Sequence, residues 1–134
     1  MSDVEGALLD SGLRKATTRT AIDTVDLLRR GEFSREAVFF GRVDFLISTW
    51  DDRLMPVECK ISNSALNSMK RLREIDIKAA FWMHDLGAQV VPTAVLSGVF
   101  ELGPLRSTQE RGVTLFWGHN LPELGDWIRK TRAP

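Results

Sequence analysis

The sequence has a single cysteine, Cys59, so it cannot form an internal disulfide. It has no charged-then-apolar leader and no uninterrupted run of about 18 apolar residues. These absences predict a cytoplasmic protein with no membrane association. Net charge is also missing: 18 basic residues balance 18 acidic ones, leaving no overall field to attract nucleic acid. Any contact with DNA must therefore rest on local patches. Residues 1–60 hold nine basic and eleven acidic side chains and residues 61–134 hold nine and seven, so the halves hardly differ. There is no internal repeat, low-complexity tract or Gly/Ser linker to divide the chain. What remains is 134 residues, 43% hydrophobic and 27% charged, the makeup of one globular domain spanning 1–134. Disorder, collagen and coiled coil are excluded, and a chain of this length can bury roughly two-thirds of its unfolded surface.

The apolar pattern predicts N-terminal helices over about 3–30. Asp3 caps a first segment faced by Leu8, Leu9 and Leu13, and Ile22, Val25 and Leu28 follow at helical spacing before Gly31. Ala37-Val38-Phe39-Phe40 reads as a short strand, with a helical turn capped by Ser34 as the alternative. Residues 43–49 and 54–61 read as two strands joined through Trp50-Asp51-Asp52-Arg53, giving a hairpin over about 43–61. Pro56 cannot donate to a ladder, so the second strand should pair on both sides only beyond it. Ser62, Asn63 and Ser64 are candidate caps for a long helix over about 64–86, with Met69, Leu72, Ala79, Met83 and Leu86 as its apolar stripe and Gly87 as its stop. C-terminal strands and a helix fill about 89–130: residues 89–100 and 113–117 read as strands, 101–112 as a loop, and 121–130 as an amphipathic helix. This order predicts an α/β fold with a mixed central sheet flanked by helices.

Within the hairpin, Glu58-Cys59-Lys60 is an acid-x-Lys triplet, a pattern that chance supplies roughly 0.7 times in a chain of this composition. A second copy, Asp76-Ile77-Lys78, falls inside the long helix, where residues two apart diverge. On a strand, residues two apart share a face, so Glu58 and Lys60 point together while Val57, Cys59 and Ile61 face the core. Asp44 lies opposite in parity to Val43, Phe45 and Ile47, and an odd-length loop centred near Asp51 or Asp52 would set it across from Glu58 or Lys60. Two carboxylates and a lysine then converge. Adjacent carboxylates are unfavourable without a cation, and hard oxygen donors suit Mg²⁺, with Mn²⁺ a plausible substitute. Such a centre, with a lysine stabilising the developing negative charge, suits phosphodiester hydrolysis.

The run Gly41-Arg42-Val43-Asp44-Phe45-Leu46-Ile47, the turn, Val57-Glu58-Cys59-Lys60 and the helix after it resemble the core of the PD-(D/E)XK nuclease superfamily, with Val43 where the motif has proline. Glu58-Cys59-Lys60-Ile61-Ser62-Asn63-Ser64, Asn67-Ser68-Met69-Lys70-Arg71-Leu72 and Leu115-Phe116-Trp117-Gly118-His119 are more specifically similar to restriction endonucleases of the XamI type. The resemblance, from about residue 36 onward, implies a restriction-endonuclease-like αβββαβ core. It also implies Asp44 and Glu58 as metal ligands, Lys60 as the catalytic lysine, and double-stranded DNA as substrate. A metal ligand on the first helix, found in some members, maps nearest to Glu5. The backbone carbonyl of Cys59 is a further candidate ligand. Restriction enzymes are longer than this chain, which therefore corresponds to part of one or to a reduced nuclease module whose sequence-recognition region is missing or supplied separately. Symmetric duplex cleavage would favour a homodimer.

Each feature also has a plainer explanation. Asp44, Glu58 and Lys60 could be a solvated strand face holding a cross-strand ion pair of roughly 0.2–1 kcal/mol. Asn63, Asn67, Lys70 and Arg71 form a candidate phosphate track at the helix N-terminus, or else a solvated face balanced by Glu74. Asp51 and Asp52 are turn residues, Cys59 a small core residue, and His84 structural. His119 and Asn120 offer an alternative general base without paired ligands. Among the tryptophans, Trp50 is the candidate for an exposed DNA contact. The rival function is a non-catalytic DNA-binding or subunit-assembly module that keeps the nuclease fold.

Overall fold

The computed structural model describes residues 2–16 and 28–132. Among them run helix α1 (Ser2–Asp10), strands β1 (Arg14–Lys15), β2 (Glu32–Val38), β3 (Arg42–Ser48) and β4 (Leu54–Ser62), helix α2 (Ala65–Leu86), a 3₁₀ turn (Gly87–Gln89), strand β5 (Thr93–Gly98), helix α3 (Leu102–Glu110), strand β6 (Thr114–Trp117) and helix α4 (Leu121–Lys130). The strands form one six-stranded sheet in sequence order. β3 runs antiparallel to both β2 and β4, while β1 joins β2, β5 joins β4 and β6 joins β5 in parallel. The fold is thus α/β, a mixed sheet flanked by four helices. No described helix is long and apolar enough to cross a membrane.

Strand alternation divides the interior in two. Phe33, Phe45, Ile47, Met55, Val57, Val95 and Phe116 project to one face and pack against Val4 and Leu8 of α1 and Leu124 and Ile128 of α4. On the opposite face Leu46, Ala94 and Leu96 meet Leu72, Ile75, Ala79 and Trp82 of α2, with Leu105 of α3 alongside. Trp82 also ties α2 to the end of β2 by donating from Nε1 to the Phe39 carbonyl at 2.9 Å. Asp44, Glu58 and Lys60 lie on this second face, beneath α2.

The β3–β4 hairpin pairs Ser48 with Leu54 and Phe45 with Val57, so its loop is centred on Asp51. Pro56 faces Leu46 on one side and has no partner in β5, whose ladder begins at Val57–Thr93; contrary to expectation, Leu54 ahead of it is already bridged on that side, to Val90, its carbonyl accepting from the Val91 N–H at 2.8 Å. At the far end of β4, Gly98 has φ of 97° and lies against Ser62, whose carbonyl oxygen would be 2.0 Å from any added Cβ.

Several expectations change. The second N-terminal helix falls mainly on residues 17–27, outside those described, while Leu28–Arg30 are not helical. The strand foreseen at 37–40 starts earlier, at Glu32, and stops at Val38. The loop foreseen at 101–112 contains α3, whose Pro104 lies in the first turn, where a missing N–H costs no intrahelical bond. Met69 and Ile61 are exposed, at 48% and 73%, because Ser68, Leu72, Ile75, Ala79 and Trp82 form the buried stripe of α2 and Ile61 lies near the end of its strand.

Candidate metal and phosphodiester site

One step beyond the Phe45–Val57 pair, the β3–β4 register carries Asp44 opposite Glu58. The ladder ends before this position, and the Asp44 carboxylate takes over a strand's role by accepting from the Cys59 N–H at 2.7 Å. That bond fixes one carboxylate oxygen. Glu58 is only 5% exposed. Its partner is Lys78 of α2, whose ammonium pairs with Glu58 Oε1 and also donates to the Arg42 carbonyl at 2.8 Å. Burial pushes the Glu58 carboxyl above its ordinary value; Lys78 and Lys60 pull against that shift, and the charge of Asp44 adds to it.

Asp44, Glu58 and Lys78 line a cleft of about 230 Å³ together with Glu36, Arg42 and Val43. Glu36 holds a left-handed backbone (φ 54°), and the β2–β3 ladder passes over it, pairing Arg35 with Phe45 and Ala37 with Val43. For a residue with a Cβ this conformation costs roughly 1–2 kcal/mol, and here it sets a further carboxylate at the rim. Among the described residues no three or more His, Cys, Asp or Glu side chains gather closely enough to hold a metal by themselves.

Lys60 shares the face of Glu58 but not the cleft. Its ammonium lies 3.9 Å from Glu74, whose other oxygen pairs with Arg71 at 3.3 Å. Glu5 is on the wrong side of the sheet to join Asp44 and Glu58, since α1 packs on the opposite face; its carboxylate serves Lys15 at 3.3 Å and Arg35 at 3.4 Å. Cys59 also points to that opposite face, packed against its core, and burial and the Asp44 charge push its thiol up to about 12. It is no nucleophile.

At the N-terminus of α2, Ser64 accepts from the Asn67 N–H at 3.1 Å, the cap foreseen for this helix. Asn63, Asn67 and Lys70 line a surface groove of about 470 Å³ with Ser64, Leu66, Met69 and Arg73. Arg71 does not line this groove and pairs with Glu74 instead. Trp50 is not a free exposed aromatic: it packs against the core, its ring lies against Gly31, and the Arg132 guanidinium sits 4.8 Å from its centroid. His84 is exposed beside Asp85, and the His119 ring lies 5.9 Å from that of Trp117. Asn120 donates to Glu123 at 3.0 Å.

The residues that sequence reasoning missed are Lys78, Glu36 and Arg73. Lys78 belonged to the triplet set aside because its Asp76 points elsewhere. The usable signal was helical: Glu74 and Lys78 are one turn apart and share the face that looks onto β4, where Lys78 meets Glu58 and Glu74 meets Lys60.

Comparison with known proteins agrees with this architecture. Over 97% of its length the chain superposes with a TM-score of 0.54 on 32% of protein VC1899 from Vibrio cholerae, at 14% identity, a likeness of fold. It is 46% identical over 57 residues to the type II restriction enzyme XamI of Xanthomonas campestris pv. amaranthicola; that match spans 41% of this chain and 21% of the relative. The XamI restriction endonuclease profile matches residues 1–117, nearly the whole chain, and the chain therefore belongs to the XamI restriction endonuclease family.

Proposed function

We propose that the chain carries the catalytic site of a metal-dependent DNA endonuclease of the PD-(D/E)XK type, hydrolysing phosphodiester bonds of double-stranded DNA. The observation carrying this reading is the placement of Asp44 and Glu58 across from each other on one sheet face, with Glu58 almost wholly buried. A solvated ion-pair face would not bury a carboxylate beside a second one. The donor set fits Mg²⁺ or Mn²⁺: two carboxylates, with the Cys59 carbonyl as a third oxygen and water for the remaining positions.

When bound, the ion would lower the pKa of a water and neutralise charge on a phosphoryl oxygen. Asp44, held by the Cys59 N–H, offers its other oxygen in a fixed direction, and burial limits the orientations open to Glu58. Lys60 supplies positive charge toward the developing negative charge, and Asn63, Asn67, Lys70 and Arg73 hold the DNA backbone along the groove. Cleavage of both strands calls for a homodimer, measurable by sedimentation.

The second reading, a non-catalytic module with the nuclease fold, draws on the contact of Lys60 with Glu74 and on the zero net charge. Incubating the purified chain with plasmid DNA, with and without Mg²⁺ or Mn²⁺, separates them. Linear or nicked products in the metal lanes alone are expected; intact plasmid across metals would favour the module.

A further inference from the structure

We propose that Lys78 is the resident counter-cation of this site, occupying on Glu58 the place that a divalent cation takes, so that lysine and metal compete for one carboxylate. The inference rests on the reading of Asp44 and Glu58 as metal ligands. A buried carboxylate beside a second one requires a cation close by. The Lys78 ammonium meets that need from α2, paired with Glu58, anchored on the Arg42 carbonyl and lining the cleft that Asp44 shares. Lys60 does not line the cleft and is engaged with Glu74. A lysine suits this exchange because its charge is compact and its stem flexible. With a dication at Glu58, the two positive charges repel, yet the displaced ammonium stays tethered at the cleft, where an incoming phosphate oxygen can accept it. Lys78 is thus a positioning residue in the metal-free protein and a phosphate ligand in the loaded one.

Titrating Mn²⁺ into the metal-free protein by calorimetry tests this directly. If the ammonium holds Glu58 in about nine-tenths of the molecules, Lys78→Met removes that competition and tightens Mn²⁺ binding about tenfold. Lys78→Arg, which keeps the charge, should stay near wild type, and Lys60→Met should change affinity by less than about twofold. Single-turnover cleavage should move in the opposite direction, slowing in Lys78→Met although the metal is held more tightly. Unchanged or weaker Mn²⁺ binding in Lys78→Met, with wild type binding the ion and Glu58→Gln losing it, would overturn the competition alone. No Mn²⁺ binding by wild type, or full binding by Glu58→Gln, would instead overturn the site itself. Should Lys78→Met fail to fold, labelling of Lys78 by an amine-reactive reagent in wild type replaces it. Severalfold faster labelling on adding Mn²⁺ is expected, and an unchanged rate would overturn the proposal.

Discussion

The two ends of the β3–β4 hairpin carry similar numbers of charges and treat them differently. At the turn, Asp51 pairs with Arg53 at 2.8 Å and takes a hydrogen bond from Thr49, while Asp52 pairs with Arg30 at 2.7 Å. Each acid there has its own arginine and stands near water. At the open end, Asp44 and Glu58 converge with Glu36 nearby, and Lys78 is the lysine that reaches their cleft. Each end also has a residue at positive φ, Asp52 at 68° and Glu36 at 54°, but aspartate tolerates that conformation in turns far better than glutamate does in a strand. The turn is arranged for stability. The open end accepts burial, like-charge proximity and backbone strain, the pattern expected where binding a cation offsets those costs.

The sharpest break of this contrast is Glu58→Gln, which keeps the shape and removes the buried charge. Mn²⁺ binding and plasmid cleavage should both collapse, cleavage by at least about 10²-fold, whereas DNA binding without metal should persist or strengthen as repulsion from phosphate falls. Calorimetry and gel shift read the two separately. Lys60→Ala should retain the ion and lose cleavage by roughly 10² to 10³-fold. Wild-type cleavage by that variant would remove Lys60 from the mechanism.

The hairpin was readable in sequence because strand parity and a loop between alternating segments fix which side chains share a face; the common face of Asp44, Glu58 and Lys60 follows from that, but not that Lys60 stands outside the cleft. That Pro56 itself leaves a gap in the pairing toward β5 was readable for the same local reason, whereas the bridge from Leu54 to Val90 ahead of it was not. What parity cannot give is the element laid over the sheet. Lys78 lies twenty residues from Glu58, and its arrival depends on how α2 crosses β4. Glu5 failed for the complementary reason, since nothing in the sequence says which face α1 covers. The helix α3 was obscured because Gly103 and Pro104 disfavour a helix interior, although its first turn tolerates both.

A smaller effect should separate residues that line the groove from one that does not. Lys70→Ala and Arg73→Ala should each weaken DNA binding regardless of sequence and reduce the slope of log affinity against log salt by about 1. Arg71→Ala, whose guanidinium is committed to Glu74, should leave that slope nearly unchanged. Equal slopes in all three variants would mean that the groove is not the DNA track.

The smallest effect belongs to the turn. Burial pushes the Asp51 carboxyl up, but hydrogen bonds from Arg53 and Thr49 and the charge of Arg53 outweigh it and hold the group below its ordinary value. Folded Asp51 therefore binds its proton less readily than the unfolded chain does. Its stabilisation is complete above the unfolded aspartate value of about 3.9 and is lost as pH falls through the lower folded value. At 39% side-chain exposure the pair is well screened, so Asp51→Asn should cost no more than about 1 kcal/mol at neutral pH. Denaturant unfolding at pH 7 and pH 3 should show the variant's deficit shrinking in acid. A constant deficit across that range would mean that the loss does not come from the charge, while cleavage by the variant should match wild type because the turn lies at the far end of the hairpin from Asp44 and Glu58.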